Sequence, residues 1–231
     1  MTIALVANTG AGSGDGNSVT TSGIDTTGAT LIVLAVNAFA DPAGSGTLSD
    51  SKGNTWTGLT TYNSFSALFI RLYYCASPTV GSGHTFTWAS TGQNPGICVQ
   101  AYSGAATSSP LDQQSGASGD NQPGSVTPSE NNEVLVTALT IFGSVSSVDS
   151  GFTISDSFVG TAFATDMGIA YKIQTTAGAE NVTWNGGAGE STSACNIATF
   201  KAAAAAGGSN IHVLAAVMQA QGNQYLGGGI C

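Results

Sequence analysis

The chain has 231 residues, enough for one large domain or two small ones, either with a substantial buried core. Charged residues make up 7 % of it, against roughly 25 % in ordinary soluble domains, and the net charge is −9. Its only cations besides the chain terminus and histidine are Lys52, Arg71, Lys172 and Lys201, which excludes an electrostatic grip on phosphates and argues against nucleic acid and anionic membranes as partners.

No run reaches the ~20 apolar residues of a membrane-spanning helix, and the opening MTIALVANTG lacks a basic-then-apolar leader, so synthesis and assembly in the cytoplasm are expected. Its 32 glycines, together with Ser and Thr, supply the polar surface. Such a surface repels neighbouring copies weakly and suits dense contact with other subunits. A monomer with an unusual surface is the plain alternative. Cys75, Cys98, Cys195 and Cys231 match no metal-binding spacing and read as buried structural thiols.

In chain order, residues 1–28 read as a short strand, a Gly-rich loop (AGSGDGNS) and a second strand. Ala29–Phe39, which ends in LIVLAVNAF, is an apolar run of strand length, flanked by Thr-Gly and Asp-Pro-Ala-Gly with no helix cap, and so reads as a central strand. Turn formers Asp50, Ser51, Gly53 and Asn54 precede the strand formers Thr55, Trp56 and Thr57. LFIRLYYC follows, and then HTFTWA, where His84, Phe86 and Trp88 share one face by the two-residue period. Residues 97–102 close this first set of strands, and 103–130 read as a polar connection.

A second set then repeats the first. Setting Tyr74 on Tyr171 places Trp88 opposite Trp184, a shift of 184 − 88 = 96, and Cys98 opposite Cys195 at 97. LIVLAVNAF matches VLVTALTIF at 134 − 31 = 103, and Ser49-Asp50-Ser51 matches Ser155-Asp156-Ser157 at 106. A period near half the chain signals a duplicated unit and not a solenoid.

The expected fold is therefore all-β, a jelly-roll-like β-sandwich over residues 1–201 with pseudo-repeats at about 19–104 and 124–201. The halves either interleave their strands in one sandwich or close as two. The single sandwich is preferred, with the two apolar runs as adjacent central strands covered on both faces.

Beyond Lys201, KAAAAAGGSN reads as a flexible hinge, and residues 202–231 as hinge plus apolar arm. Ile211, Leu214, Ala215 and Met218 share a helical face, while Ile211, Val213 and Ala215 suit a strand equally. The arm either folds back on its own sandwich or docks on a neighbour through Ile211, Val213, Leu214, Val217, Met218, Tyr225 and Leu226.

The sequence is poor in reactive chemistry. No metalloprotease, nucleophile-elbow, phosphate-loop or dinucleotide motif occurs, and no pair among its 13 carboxylates stands out. A Ser–His–Asp set would need His84, whose neighbours place it on a strand face. No cofactor and no catalytic residue is expected. Asp15-Gly16-Asn17 and the Asp50–Asn54 loop offer oxygen ligands for calcium, though turn chemistry explains both and Lys52 is a poor companion to a cation. Trp56, Tyr62, Tyr73, Tyr74 and Tyr102 could form a sugar platform if exposed, and core residues if not. Asn181-Val182-Thr183 is a glycosylation sequon, relevant only after secretion.

The strings DSKGNTWT, LYYCA, HTFTW and AYSG resemble a β-sandwich of structural proteins in tailed-phage virions, over roughly residues 20–200. The resemblance implies a non-enzymatic capsid cement (decoration) protein that binds the major capsid protein and other copies of itself. Trimers at the three-fold sites of the lattice would fit this role, and so would location in the virion after assembly in the host cytoplasm. A tail-associated carbohydrate- or receptor-binding module is the rival, and only there is a glycan a partner. An enzyme acting on polysaccharide is a further rival.

Overall fold

The computed structural model describes residues 2–41, 43–64, 68–160, 165–187 and 192–204. The chain is all-β, with no α-helix among the described residues. Fifteen strands form among the described residues: β1 (Ala4–Gly12), β2 (Ser18–Thr20), β3 (Leu31–Phe39), β4 (Gly46–Asp50), β5 (Thr57–Ser64), β6 (Leu68–Ala76), β7 (Phe86–Ser90) and β8 (Gln93–Ser103) come from the first half. The second half supplies β9 (Leu111–Ser118), β10 (Glu133–Phe142), β11 (Val145–Val148), β12 (Thr153–Phe158), β13 (Thr165–Gln174), β14 (Trp184–Gly186) and β15 (Ser193–Phe200).

Two five-stranded antiparallel sheets face each other in the order β1-β8-β3-β6-β5 over β12-β13-β10-β15-β9. Each comes from one half of the chain. Outside the first lies a three-stranded sheet, β2-β7-β4, and outside the second a two-stranded sheet, β11-β14. The two apolar runs are the central strands β3 and β10, covered on both faces as expected. They do not sit side by side, however. Each centres its own sheet, because each pairs with strands of its own half.

The pleat sorts β3 between two cores. Leu31, Val33 and Ala35 point into the space between the large sheets, and Ile32, Leu34, Val36 and Ala38 point outward under the small sheet. In β10, Val134, Val136 and Ala138 point inward, and Leu135, Leu139 and Ile141 point outward. The outer cores hold Trp88 and Trp184, both buried, so the matched tryptophans do anchor matched positions.

Three expectations change. Residues 111–118 form an edge strand, β9, inside the stretch read as a connection. Its sequence, LDQQSGAS, carries no apolar alternation because it is only half-buried, and pairing with β15 fixes it. The match of Ser49-Asp50-Ser51 to Ser155-Asp156-Ser157 joins unlike elements, since Asp50 ends β4 in a small sheet and Asp156 lies in β12 of a large one.

The Cys98–Cys195 match is one residue out. Ala35 pairs with Cys98, and its counterpart Ala138 pairs with Asn196, a true shift of 196 − 98 = 98. A slip of one residue reverses the face. Accordingly Cys98 lies between the large sheets and Cys195 beneath the small one.

Sheet edges of this kind invite pairing with other chains, and here the opposite sheet covers several edge groups. The β5 amides of Thr60 and Asn63 donate to Gln114 Oε1 (3.2 Å) and Ser118 Oγ (3.0 Å) of β9. At the other side Asn8 Nδ2 of β1 donates to the Ser155 carbonyl of β12 at 2.8 Å. The expected hinge and arm fall mostly on residues 205–231, outside the described residues. Just beyond β15, Ala202 bridges Ala105 and the Ala203 amide donates to the Gly104 carbonyl at 2.8 Å.

Candidate functional site

The turn after β4 folds around one carboxylate. Asp50 ends the strand, and its Oδ1 accepts from the Lys52 amide (2.8 Å), Asn54 Nδ2 (3.1 Å) and His84 Nε2 (2.9 Å). Its Oδ2 accepts from the Asn54 amide (3.1 Å) and Trp56 Nε1 (3.0 Å). Burial pushes the Asp50 carboxyl up, but the His84, Lys52 and Trp56 donors outweigh it and hold it below the ordinary value. With five donors on two oxygens, this loop uses for turn formation the lone pairs that a calcium ion would need.

His84 completes the knot. It lies two residues before β7, bridged to Ile24, fully buried, with its ring stacked on Phe86 at 4.2 Å. Its Nδ1 lies 3.0 Å from Thr26 Oγ1, which also accepts from the Gly81 amide at 3.1 Å. The residues Asp50, His84 and Thr26 thus make a hydroxyl–imidazole–carboxylate chain. Each of the three is occupied within the fold, and the His84 and Asp50 side chains are inaccessible to solvent. The arrangement locks the β4–β5 turn to the β2 and β7 region and presents no nucleophile.

The five candidate platform aromatics disperse. Tyr102 is fully buried and donates to Gln100 Oε1 at 2.6 Å, and burial pushes its hydroxyl well above the ordinary value. Tyr74 packs edge-on against Phe200, Tyr73 against Trp88, and Trp56 against Phe86. Tyr62 lies over Gly116 of β9, where a Cβ would come within 2.3 Å of its ring. None of the five is in ring contact with another among the described residues. Cys75, Cys98 and Cys195 are free and buried, and burial raises all three thiols.

The first calcium candidate, Asp15-Gly16-Asn17, borders a cavity of about 210 Å³ with Gln93 and Asn94, at the end of the first large sheet. Among the described residues no group of three or more His, Cys, Asp or Glu side chains is placed to hold a metal ion.

One cluster had no sequence signal. Asp112 at the start of β9, Glu133 at the start of β10, and Thr199 and Lys201 at the end of β15 converge where the chain leaves the second sheet. Asp112 Oδ2 accepts from the Ser129 amide at 2.6 Å and its Oδ1 from Ser129 Oγ at 2.7 Å. Lys201 Nζ stands 3.5 Å from Asp112 Oδ1 and 3.7 Å from Glu130 Oε1.

Burial pushes Asp112 up, but the Ser129 donors hold it below the ordinary value. Glu133 is fully buried and its Oε2 meets no donor. Burial foremost, with the Asp112 charge adding, raises it to about 7. Strand register sets the two carboxyls on either side of the end of β15, where the Asp112 charge acts on Glu133. Sequence reasoning missed the cluster because its members lie 21 and 68 residues apart (133 − 112, 201 − 133) and only strand register joins them.

The expected docking residues Ile211, Val213, Leu214, Val217, Met218, Tyr225 and Leu226 lie outside the described residues. No family model, no curated protein and no solved structure matches the chain.

Proposed function

We propose that the chain is a non-enzymatic structural protein of a phage-type virion, acting as a capsid cement protein. It would bind the major capsid protein and further copies of itself across the joints between capsomers. The observation that supports this most is the Asp50 knot. DSKGNTW and HTFTW, two of the strings that carry the resemblance, meet there through Asp50, Trp56 and His84, and all of their polar chemistry is spent on holding a turn. Two large sheets sharing a core, with small sheets outside, suit a load-bearing brick. Multivalent contact across a shell would make weak single interfaces strong in sum.

The finer fold reading belongs here too. In the first half the chain passes back and forth between β1, β3, β5, β6 and β8 in one sheet and β2, β4 and β7 in the other. Both halves repeat one strand order about β3 and β10. We read this as two jelly-roll-type units from a duplicated ancestor, packed through their larger sheets.

The test is binding of the purified full chain to mature and expanded capsids. A fixed copy number per capsid, together with a rise in capsid melting temperature, supports the reading. A chain that leaves capsids untouched and behaves as a free monomer overturns it. Removal of residues 207–231 is expected to weaken binding while the melting of the sandwich stays unchanged. The rival glycan-binding reading draws on the cavity beside Asp15, Asn17 and Gln93, and a glycan array with Asp15→Ala as control separates it.

A further inference from the structure

Lys201, Asp112 and Glu133 combine an amine, a carboxyl group and a buried acid at one point, where β15 ends and the chain turns toward its C-terminal segment. The chain contains a useful internal comparison. Lys172 also pairs with a carboxylate, Glu180 Oε1 at 2.5 Å, but its other neighbours there are the Ser150 carbonyl and the Gln174 amide. Among the described residues that pair has no second carboxylate within ion-pair distance. At Lys201 the partner carboxylate already receives two short hydrogen bonds from Ser129, the kind of donors that stabilise an oxyanion at a carbonyl under attack. It is also flanked, across the end of β15, by the buried acid Glu133.

We propose that Lys201 and Asp112 form an intramolecular isopeptide bond, with Glu133 as the proton relay. The reaction balances without any co-reactant. The ion pair, ammonium plus carboxylate, loses one water to give one amide. The Lys201 ammonium passes a proton to the Asp112 carboxylate, which leaves an amine and a carboxylic acid, and the amine attacks Asp112 Cγ. Ser129 holds one oxygen of the tetrahedral adduct through its N–H and the other through its O–H. Glu133 gives its proton to the departing hydroxyl, which leaves as water, and takes one back from the adduct nitrogen, so that it ends as the acid it began. Proximity in a folded chain supplies the effective concentration that drives amide formation.

The raised affinity of Glu133 for its proton keeps it in the required acid form near neutral pH. The bond would join the edge strand β9 to the end of β15, the root of the C-terminal segment. This rests on the structural role proposed above only for its purpose. The chemistry stands or falls by itself.

The test is intact mass of the full chain after purification and overnight incubation at pH 7. The expected wild-type mass is 18 Da below that of the sequence, a change far from that of initiator methionine loss. Digestion with a protease specific for acidic or aromatic residues is expected to release a branched peptide joining the segments around Asp112 and Lys201.

Hydroxylamine should leave that peptide intact, which separates it from a cyclised aspartate at Asp15-Gly16. Lys201→Arg, Asp112→Ala and Glu133→Gln should each return the full mass, and circular dichroism checks that they fold. A wild-type chain at full mass with no branched peptide overturns the proposal, as does an 18 Da loss that survives in Lys201→Arg. The wild-type measurements decide the matter even if a variant fails to fold.

Discussion

Asn37 of β3 donates from Nδ2 to Thr140 Oγ1 of β10 at 2.8 Å, and the two residues hold the same place in the two halves of the chain, 140 − 37 = 103 apart. Two residues later Phe39 meets its own counterpart Phe142 edge-on, with ring centroids 6.0 Å apart. Positions 103 apart on the two central strands thus meet where the two large sheets face each other. Asn37 Oδ1 has no partner, so the bond to Thr140 carries the whole polar satisfaction of this buried amide. Thr140→Val, nearly equal in shape, is expected to cost about 1–3 kcal/mol, read from urea unfolding at constant m-value.

The tryptophans give a paired test. Trp184 Nε1 donates to Thr137 Oγ1 at 3.0 Å, whereas Trp88 Nε1 has no partner. By sheet register Leu34 stands where Thr137 stands (137 − 34 = 103) and offers no acceptor. Thr137→Val should cost about 1–2 kcal/mol and shift the indole fluorescence, while the same change in hydrogen bonding at Trp88 is already part of the wild type.

Asp50 is the most expensive side chain to remove from the first half. Asp50→Ala strands five donors and is expected to cost 3 kcal/mol or more, on the order of the largest effects of breaking a buried network. The carboxyl titrates below its ordinary 3.8 in the folded chain. Its contribution is therefore complete above that value and is lost as pH falls through the lower, folded value. Thermal melts between pH 5 and pH 2 should show a loss in the wild type that is absent in Asp50→Ala.

Glu133 has the opposite sign. Its folded affinity for the proton is raised from 4.5 to about 7, so the folded chain holds a proton that the unfolded chain releases. Stability from this site is present below pH 4.5 and is lost as pH rises to about 7. Lys201→Arg, which cannot form the amide, is the background in which to measure it. There Glu133→Gln should gain about 1–3 kcal/mol at pH 8 and nothing at pH 4.

Ala40 follows β3 with φ of 59°, and its counterpart after β10 is Gly143 with φ of 111°. A Cβ in that region is strained. Ala40→Gly should stabilise by about 0.5–1 kcal/mol, with differential scanning calorimetry as the check.

The strands easiest to read in the sequence were those buried on both faces. LIVLAVNAF and VLVTALTIF declare themselves because nearly every position is apolar or small; the second emerged at its expected bounds, and the first begins at Leu31, two residues later than expected. The edge strand β9 was invisible for the converse reason. Its placement depends on what β15 offers it and not on its own side chains.

The repeat was legible as similarity, but its register was not. The aligned pair Cys98 and Cys195 is attractive chemically and wrong by one residue, and only the hydrogen-bonded partners Ala35 and Ala138 reveal it. His84 and Asp50 were each noted separately, as a strand residue and a turn residue. Their meeting at 2.9 Å joins residues 34 apart, which no local pattern encodes.

The shared interior has a consequence for dissection. Each half, made by itself, would expose an unaccompanied greasy plane (Leu31, Val33, Ile70 and Leu72 on one side, Val134, Val136 and Ile169 on the other). Nicking the connector near residues 106–109 should leave two fragments that co-elute, each serving as the other's lid. A solitary fragment would have to find a twin of itself or precipitate.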